Sequence, residues 1–370
     1  TMHGASKGKD VKLRKEIPIA IKECMNHEGI QGALVSHGSS TVPQYIVNEI
    51  NALGGLQFAL DFQDDEGDAE KAVNAYNNLK GKGMQVLYGT TTTTPCVAVA
   101  AETFNDRIFQ LTPSASSTKV TEGRDNVFQA CFTDPNQGKA AADYIKEHQL
   151  GTKVAAIYNN GDPYSTGIFN AFQAEAQEIG LEVVSASTFP DDTNADFTVQ
   201  LGEAQKAGAD LVFMPIYYTP ASLILNQAKT MGYEPTFFGC DGMDGILDLE
   251  GFDASLAEGL MLMTPFNAWG EDERTVKFVS EYQALAGGIP NQFAADGYDC
   301  IYAIYQACQQ AGVTADMGPQ EVCEKLTKVF TDSSFAVDGL TGSGMHWQTN
   351  GEVSKDPVVV KVESGKYVTQ

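Results

Sequence analysis

Short runs of apolar and β-branched residues alternate with longer amphipathic runs from about residue 31 onward. The first pattern is typical of buried strands, and the second is typical of helices that cover a sheet. Residues 68–79 show the helical pattern, because Asp68 can cap a helix whose apolar residues recur at helical spacing. We therefore predict an α/β fold with parallel sheets and helices on both faces. The predicted strands are 32–36, 57–62, 85–89, 108–112, 154–158, 182–185, 211–216, 236–239 and 260–264.

The alternation of strands and helices occurs as two series, one before about residue 133 and one over 153–263. Two doubly wound lobes are therefore predicted instead of one sheet of a dozen strands. After these series, the pattern predicts two helices, a glycine-rich passage and final strands, so that three connecting strands form a hinge between the lobes. The predicted division is an atypical N-terminal extension over 1–29, lobe 1 over 30–133 with 265–344, and lobe 2 over 134–264 with 345–370. The two late helices are predicted over 271–286 and 293–311, and the final hairpin is predicted near 363–366.

The charge of the chain limits its partners. The 370 residues include 24 basic and 48 acidic side chains, and the formal net charge is −24. Such a surface repels nucleic acid and anionic lipid. No apolar run has the length of a membrane helix, and no signal segment opens the sequence, so we expect either a cytosolic protein or the processed form of a secreted one. The seven widely spaced cysteines indicate buried thiols, the alternative being one disulfide or a reactive cysteine.

Motifs of the common catalytic and phosphate-binding sites are missing from the sequence. It contains no HExxH, GxSxG, P-loop or GxGxxG pattern and has only five histidines. The acidic segment 61–68 lacks the glycine and the final glutamate of a calcium loop, and is interpreted as a solvated loop before a helix. The sequence therefore predicts a binding protein, not an enzyme, with no cofactor and no metal ion.

Candidate ligand-binding residues follow the ends of the predicted strands, where ligands bind in open parallel sheets. Hydroxyl-rich turns at 90–94 and 112–117 suit a carboxylate, because helix N-termini favour anions; the alternative is that these hydroxyls only cap helices. Tyr217 and Tyr218 offer aromatic walls, and Asp241 offers a negative charge for an ammonium group. Together these groups predict an α-amino acid as the ligand.

Several short motifs occur in a characteristic order. They are NEINALGG at 48–55, TPSA at 112–115, FTDPNQG at 132–138, GCDG at 239–242 and GLTGSG at 339–344. In this order they resemble the substrate-binding proteins of branched-chain amino acid ABC transporters, the leucine/isoleucine/valine-binding type of type I periplasmic binding protein. The resemblance runs from about residue 47 to the last residue.

This resemblance implies roles for individual residues. Thr93 and Ser116 are expected to hold the α-carboxylate and the ammonium with their hydroxyls, while Thr91 and Ser114 help through their backbone. Asp241 is the expected charge partner of the ammonium. Further expected site residues are Tyr164 and Tyr218, which close over the ligand from lobe 2, Asp134 at the first hinge crossing, and Tyr217 and Phe293 near the apolar end of the ligand.

The resemblance also implies partners and a location. In such proteins the lobes close on the amino acid by a hinge motion, and the closed form docks on the permease of an ABC importer. We expect an extracytoplasmic monomer, either in a periplasm or lipid-anchored in its native precursor on a Gram-positive cell surface.

Residues 33–44 depart from the family pattern. Their sequence ALVSHGSSTVPQ resembles the strand and phosphate loop of class II fructose-bisphosphate aldolases, although no aldolase zinc-ligand set accompanies it. We interpret this segment as a graft that replaces the family's first strand, loop and helix, as in a chimera. His37 and Ser39 are candidates for ligand contact, the alternative being a helix cap. The alternative function is a fold-matched protein with impaired amino-acid binding or a phosphate- or phosphosugar-binding first loop.

Overall fold

The computed structural model describes residues 30–34, 41–190 and 195–370. The candidates His37 and Ser39, and the N-terminal extension over 1–29, lie outside the described residues. Those predictions therefore stay predictions.

The chain divides into two compact units. The observed division differs from the predicted lobes, because residues 265–295 fall in unit 2 and residues 345–354 fall in unit 1. Trp269 of the first segment packs edge-on against Tyr367 of unit 2, and Trp347 of the second packs against Phe330 of unit 1. These aromatic contacts, which the local pattern does not reveal, attach each segment to its unit. Within the described residues, unit 1 comprises the chain up to 115 with 119–131 and 296–354, and unit 2 comprises 116–118, 132–295 and 355–370.

Unit 1 contains a parallel sheet with the strand order β2-β1-β3-β4-β5. Its central strands are short and buried along their whole length, as expected for a parallel sheet covered on both faces. The strands are β1 Ile30–Leu34, β2 Phe58–Asp61, β3 Val86–Tyr88, β4 Phe109–Thr112 and β5 Val127–Gln129, and the helices are α1 Thr41–Ala52, α2 Ala69–Gly81, α3 Thr93–Asp106 and, later in the chain, α10 Pro319–Phe330.

Unit 2 contains a sheet with the strand order β12-β11-β10-β9-β8-β6-β7. The strands β6 to β10 pair in parallel, whereas β11 and β12 are antiparallel and form the predicted hairpin, in which Glu363 pairs with Lys366. The strands are β6 Lys153–Asn159, β7 Glu182–Phe189, β8 Leu211–Met214, β9 Thr236–Gly239, β10 Met261–Thr264, β11 Val358–Glu363 and β12 Lys366–Thr369, and the helices are α4 Asp134–Glu147, α5 Pro163–Ile179, α6 Thr198–Ala207, α7 Tyr218–Met231, α8 Glu273–Ala286 and α9 Gln292–Ala311, which continues into unit 1.

Each unit has its own hydrophobic core. In unit 1, Phe330 contacts Phe109 and Phe128 with ring centroids 4.8 and 5.1 Å apart, which fastens α10 to the sheet. In unit 2, Phe172 of α5 stacks on Phe213 of β8 at 4.1 Å. Aromatic pairs of this kind contribute beyond the area that they bury. Both sheets are therefore rigid supports for the loops at their edges.

Local features also agree with the sequence. Asp68 caps α2 by accepting a hydrogen bond from the Lys71 backbone N–H, and Asp65 accepts one from Gly67 N–H, so the acidic segment is a loop that leads into a helix. The cysteines that the structure describes, at 96, 131, 240, 300, 308 and 323, are buried, as the sequence predicts; Cys24 lies outside the described residues. Among the described residues, no helix is both long and apolar enough to cross a membrane.

Candidate functional site

In unit 1, two hydroxyl-rich loops lie side by side because β3 and β4 are neighbours in the sheet. Thr112 Oγ1 donates to the carbonyl of Thr90 at 2.6 Å, and Ser114 Oγ donates to the carbonyl of Thr91 at 2.8 Å. The predicted residues Thr91 and Ser114 are thus in direct contact. Since the Ser114 hydroxyl donates its proton within the protein, it has no hydrogen left to donate to a ligand carboxylate.

Thr93 is the first residue of α3, and its side chain is 1% exposed. Within the described part of the chain, neither the Thr93 hydroxyl nor that of the N-cap residue Thr92 has a hydrogen-bond partner. The capping alternative therefore does not hold at this helix. A buried, unpartnered hydroxyl beside the free N–H groups of a helix N-terminus is suited to an anion such as a carboxylate.

Buried side chains behind these loops hold them in place. Gln110 Nε2 donates to the carbonyl of Gly89 at 2.9 Å, and the Thr103 hydroxyl donates to Gln110 Oε1 at 2.6 Å. Both hydrogen bonds are buried, where a lost partner is costly. They fix the turn that follows β3 and leads to Thr93.

In unit 2, Asp241 follows β9 and is 3% exposed. The Tyr164 hydroxyl donates to Asp241 Oδ1 at 2.7 Å and accepts the Gly242 backbone N–H at 2.9 Å. A side chain at position 242 would place its Cβ 2.6 Å from the Tyr164 oxygen, so only glycine permits this approach. The sequence at 164 and 239–242 thus produces one oriented carboxylate.

The electrostatics of Asp241 suit the binding of a cation. Burial raises the pKa of its carboxyl to about 6, while the hydrogen bond from Tyr164, the nearby Gln137 amide and the charge of Lys355 act in the opposite direction. The carboxylate is therefore mainly ionised at neutral pH, although it is buried. Such a group gains strongly from a positively charged partner.

Two glutamines that sequence reasoning missed hold the backbone of Asp241. The Asp241 N–H donates to Gln137 Oε1 at 3.2 Å, and Gln292 Nε2 donates to the Asp241 carbonyl at 2.6 Å. Gln137 belongs to the motif at 132–138 and lies one helical turn after Asp134, so its spacing could have indicated a place on the same helix face as Asp134. Gln292 is distant in sequence, and no sequence pattern indicated its contact with Asp241.

Ser116 and Asp134 meet where the chain enters unit 2. The Asp134 N–H donates to the Ser116 carbonyl at 2.9 Å. Among the described residues, the Ser116 hydroxyl and both carboxylate oxygens of Asp134 are buried without a partner at hydrogen-bond geometry. Burial holds the pKa of Asp134 well above its ordinary value.

The predicted aromatic residues occupy different places. Tyr217 stacks on Tyr164 with ring centroids 4.8 Å apart, and thus lies beside the tyrosine that holds Asp241. Tyr218 begins α7 and lies against Gly245, with its ring packed on the neighbouring core. Phe293 lies half-buried near the start of α9. The structure thus places Tyr217, not Tyr218, against Tyr164.

In the part of the chain that the structure describes, no three or more histidine, cysteine, aspartate or glutamate side chains are grouped so that they could hold a metal ion.

The chain is similar to known proteins in both sequence and fold. The family described as periplasmic binding protein matches residues 31–366. The Leu/Ile/Val-binding protein homolog 3 of Brucella melitensis is 27% identical and is aligned over 77% of this chain and 76% of its own. The branched-chain amino acid substrate-binding protein LivJ of Streptococcus pneumoniae, solved with isoleucine, has a TM-score of 0.80 at 24% identity over 92% of this chain and all of its own. The leucine-binding protein LivK of Thermotoga maritima has a TM-score of 0.79 at 24% identity, over 92% and 97% of the two chains. The predicted fold class is confirmed.

Proposed function

The chain belongs to the periplasmic binding protein family, and from this we propose that it is a receptor that captures an amino acid with a branched apolar side chain for an ABC importer. The observation that carries the proposal is the buried carboxylate of Asp241, which Tyr164 orients at 2.7 Å. Relatives named for binding leucine, isoleucine and valine support the choice of ligand.

Each unit supplies one part of the chemistry of an α-amino acid. In unit 1, the Thr93 hydroxyl and the backbone of Thr91 and Ser114 bind the α-carboxylate at the N-terminus of α3. In unit 2, Asp241 binds the ammonium, assisted by the Ser116 hydroxyl. The remaining proposed ligand contacts are the rings of Tyr164, Tyr217, Tyr218 and Phe293.

The proposed setting of the receptor follows from its family. It acts outside the cytoplasm as a monomer, either in a periplasm or anchored through a lipid in its native precursor on a Gram-positive cell surface, and it delivers the ligand to a permease instead of transforming it. The net charge of −24 argues against nucleic acid as a partner, because an acidic surface repels phosphate backbones.

Thermal unfolding with a panel of ligands tests the proposal. Leucine, isoleucine, valine and phenylalanine are compared with fructose 1,6-bisphosphate, because ligand at a hundred times its Kd adds about 2.7 kcal/mol to the free energy of unfolding. We expect several degrees of stabilisation by at least one branched-chain amino acid. Stabilisation by fructose bisphosphate alone would instead support the phosphate-binding alternative at residues 33–44.

A further inference from the structure

Asp134 presents a carboxylate whose role the fold does not explain. It is the first residue of α4 and is 1% exposed. In the described structure both of its oxygens are buried and have no hydrogen-bond partner. An isolated buried carboxylate is strongly disfavoured, and such groups are either neutralised by a proton or paired with a cation. Asp134 therefore needs either a proton or a positive partner, and the residues that the structure describes offer its carboxylate oxygens no hydrogen-bonded cation.

Two neighbours of Asp134 are unsatisfied as well. The Ser116 hydroxyl and the Nε2 of Gln137 are buried without partners among the described residues. Gln137 lies one helical turn after Asp134. The Ser116 carbonyl accepts the Asp134 backbone N–H at 2.9 Å. Three polar side chains with unused hydrogen-bonding capacity thus form one cluster. An ammonium group carries only donors and therefore suits the two members that can accept, the Asp134 carboxylate and the Ser116 hydroxyl.

The surroundings of Asp134 are acidic. Burial raises the pKa of Asp134 most, and the charges of Asp241 and Asp162 raise it further. The hydroxyls of Ser116 and Ser117 act in the opposite direction and lower this pKa. A Cβ at Gly167 of α5 would lie 2.8 Å from Asp134 Oδ2, so the carboxylate rests against that helix. The other titratable groups of this neighbourhood are Tyr164 of α5, Cys240 before Asp241, and Lys355, whose charge acts on Asp241.

We propose that Asp134 is a second carboxylate for the ligand ammonium, beside Asp241, and that the empty protein holds a proton in its place. This inference rests on the proposed function. The amino acid enters as a zwitterion that is already protonated on nitrogen. As it binds, the O–H bond of the Asp134 carboxylic acid breaks and its proton passes to solvent. The ammonium then supplies the positive charge between the two carboxylates.

This exchange makes the affinity depend on pH. When the pair holds a proton, the ammonium must displace it, so the affinity falls by up to about tenfold for each pH unit below the pKa of the pair. It also means that a carboxylic acid without an amino group leaves the Asp134 proton in place, so its binding should release no proton.

Calorimetry in two buffers of different ionisation enthalpy counts the protons that are released on binding. Leucine, isoleucine and valine are titrated into the unmodified protein from about pH 6 to pH 8. We expect release of up to about one proton near neutral pH, and an affinity that rises with pH. Amino-acid binding without proton release would overturn this inference and leave the proposed function intact, whereas no binding of any amino acid would overturn both.

Variants assign the proton to Asp134. Asp134→Asn should weaken binding at least tenfold at about pH 8 and abolish the proton release there, where Asp241 is already ionised. The control Asp253→Asn alters an exposed cap of a short helix far along the chain and should behave as the unmodified protein. Unchanged proton release by Asp134→Asn would remove Asp134 from the exchange. If Asp134→Asn does not fold, the number of protons that the unmodified protein releases on binding still tests the proposed exchange.

Discussion

The hydroxyl of Tyr164 donates a 2.7 Å hydrogen bond to Asp241 Oδ1 while it accepts the N–H of Gly242 at 2.9 Å. One side chain thus binds both the carboxylate and the turn that carries it. This relationship fixes the direction of a buried negative charge before any ligand arrives. Preorganisation of this kind is what a receptor for an ammonium group requires.

Removal of the Tyr164 hydroxyl should weaken amino-acid binding. In Tyr164→Phe, Asp241 loses a hydrogen bond that lowers its pKa, and its orientation is no longer held. We expect a loss of about tenfold in the affinity for leucine, measured by calorimetry at neutral pH. The control Tyr233→Phe loses a buried hydrogen bond to the Ala209 carbonyl and should keep its affinity. Equal affinities in the two variants would contradict the role given to Tyr164.

The Thr93 hydroxyl should matter for binding and not for folding. Because it is buried without a partner among the described residues, Thr93→Val removes no internal hydrogen bond and should leave the free energy of unfolding unchanged or higher. We expect at least about tenfold weaker leucine binding.

A matched variant shows the opposite behaviour. The Thr103 hydroxyl donates to Gln110 Oε1 at 2.6 Å within the core, so Thr103→Val should reduce the free energy of unfolding by about 1 to 3 kcal/mol. Its leucine affinity should stay within a few fold. Urea unfolding and calorimetry of the two variants test this crossed pattern, and a destabilised Thr93→Val would argue against a ligand role.

The absence of a side chain at position 242 is also predicted to be essential. In Gly242→Ala the new Cβ would meet the Tyr164 oxygen at 2.6 Å and push it from Asp241. We expect a loss of leucine affinity at least as large as that of Tyr164→Phe. Gly202→Ala in α6, where no atom lies within 4 Å of the added Cβ, should bind normally and unfold no more easily.

Asp244 should make stability depend on pH. It is buried, accepts the Gln292 N–H at 2.7 Å, and burial raises its pKa to about 7. A carboxyl whose pKa is higher in the folded state than in the unfolded state stabilises the fold when protonated. Its contribution is complete below about pH 4 and is lost as the pH rises through 7.

The variant Asp244→Asn keeps an acceptor for Gln292 and removes the titration. Relative to the unmodified protein, its free energy of unfolding should rise by about 2 kcal/mol between about pH 5 and pH 7. Urea unfolding at several pH values measures this difference. Asp272→Asn, at an N-cap where the hydrogen bond from Thr275 lowers the carboxyl pKa, should show no such rise. If the free energies of unfolding of Asp244→Asn and the unmodified protein differ by the same amount at every pH, the raised pKa of Asp244 is contradicted.

Much of the fold could be predicted from local pattern. The strand over 236–239 agrees with β9 at both ends, because a continuous apolar run ends at a turn. The strand β5 and the helix α10 were missed. β5 has only three residues and is defined by its pairing with β4, whereas the helix start at Pro319 and the apolar face through Phe330 were readable signals.

The sequence predicted which positions form the candidate site better than it predicted the contacts between their side chains. Rules for strand ends led to Thr93 and Asp241, because the carboxyl edge of a parallel sheet exposes the following residues. The pairing of Tyr164 with Asp241 joins residues 77 positions apart, and Gln292 reaches the same turn from another helix. Such contacts depend on tertiary packing, which local periodicity does not encode.

One titration tests the central claim most directly. Leucine is compared by calorimetry with 4-methylpentanoate, which lacks the ammonium, and with 3-methylbutylamine, which lacks the carboxylate. If Thr93 and Asp241 each bind one charged group, leucine should bind at least about a hundredfold more tightly than either analogue. Equal affinity for leucine and for either analogue would contradict the recognition of both charged groups of an amino acid.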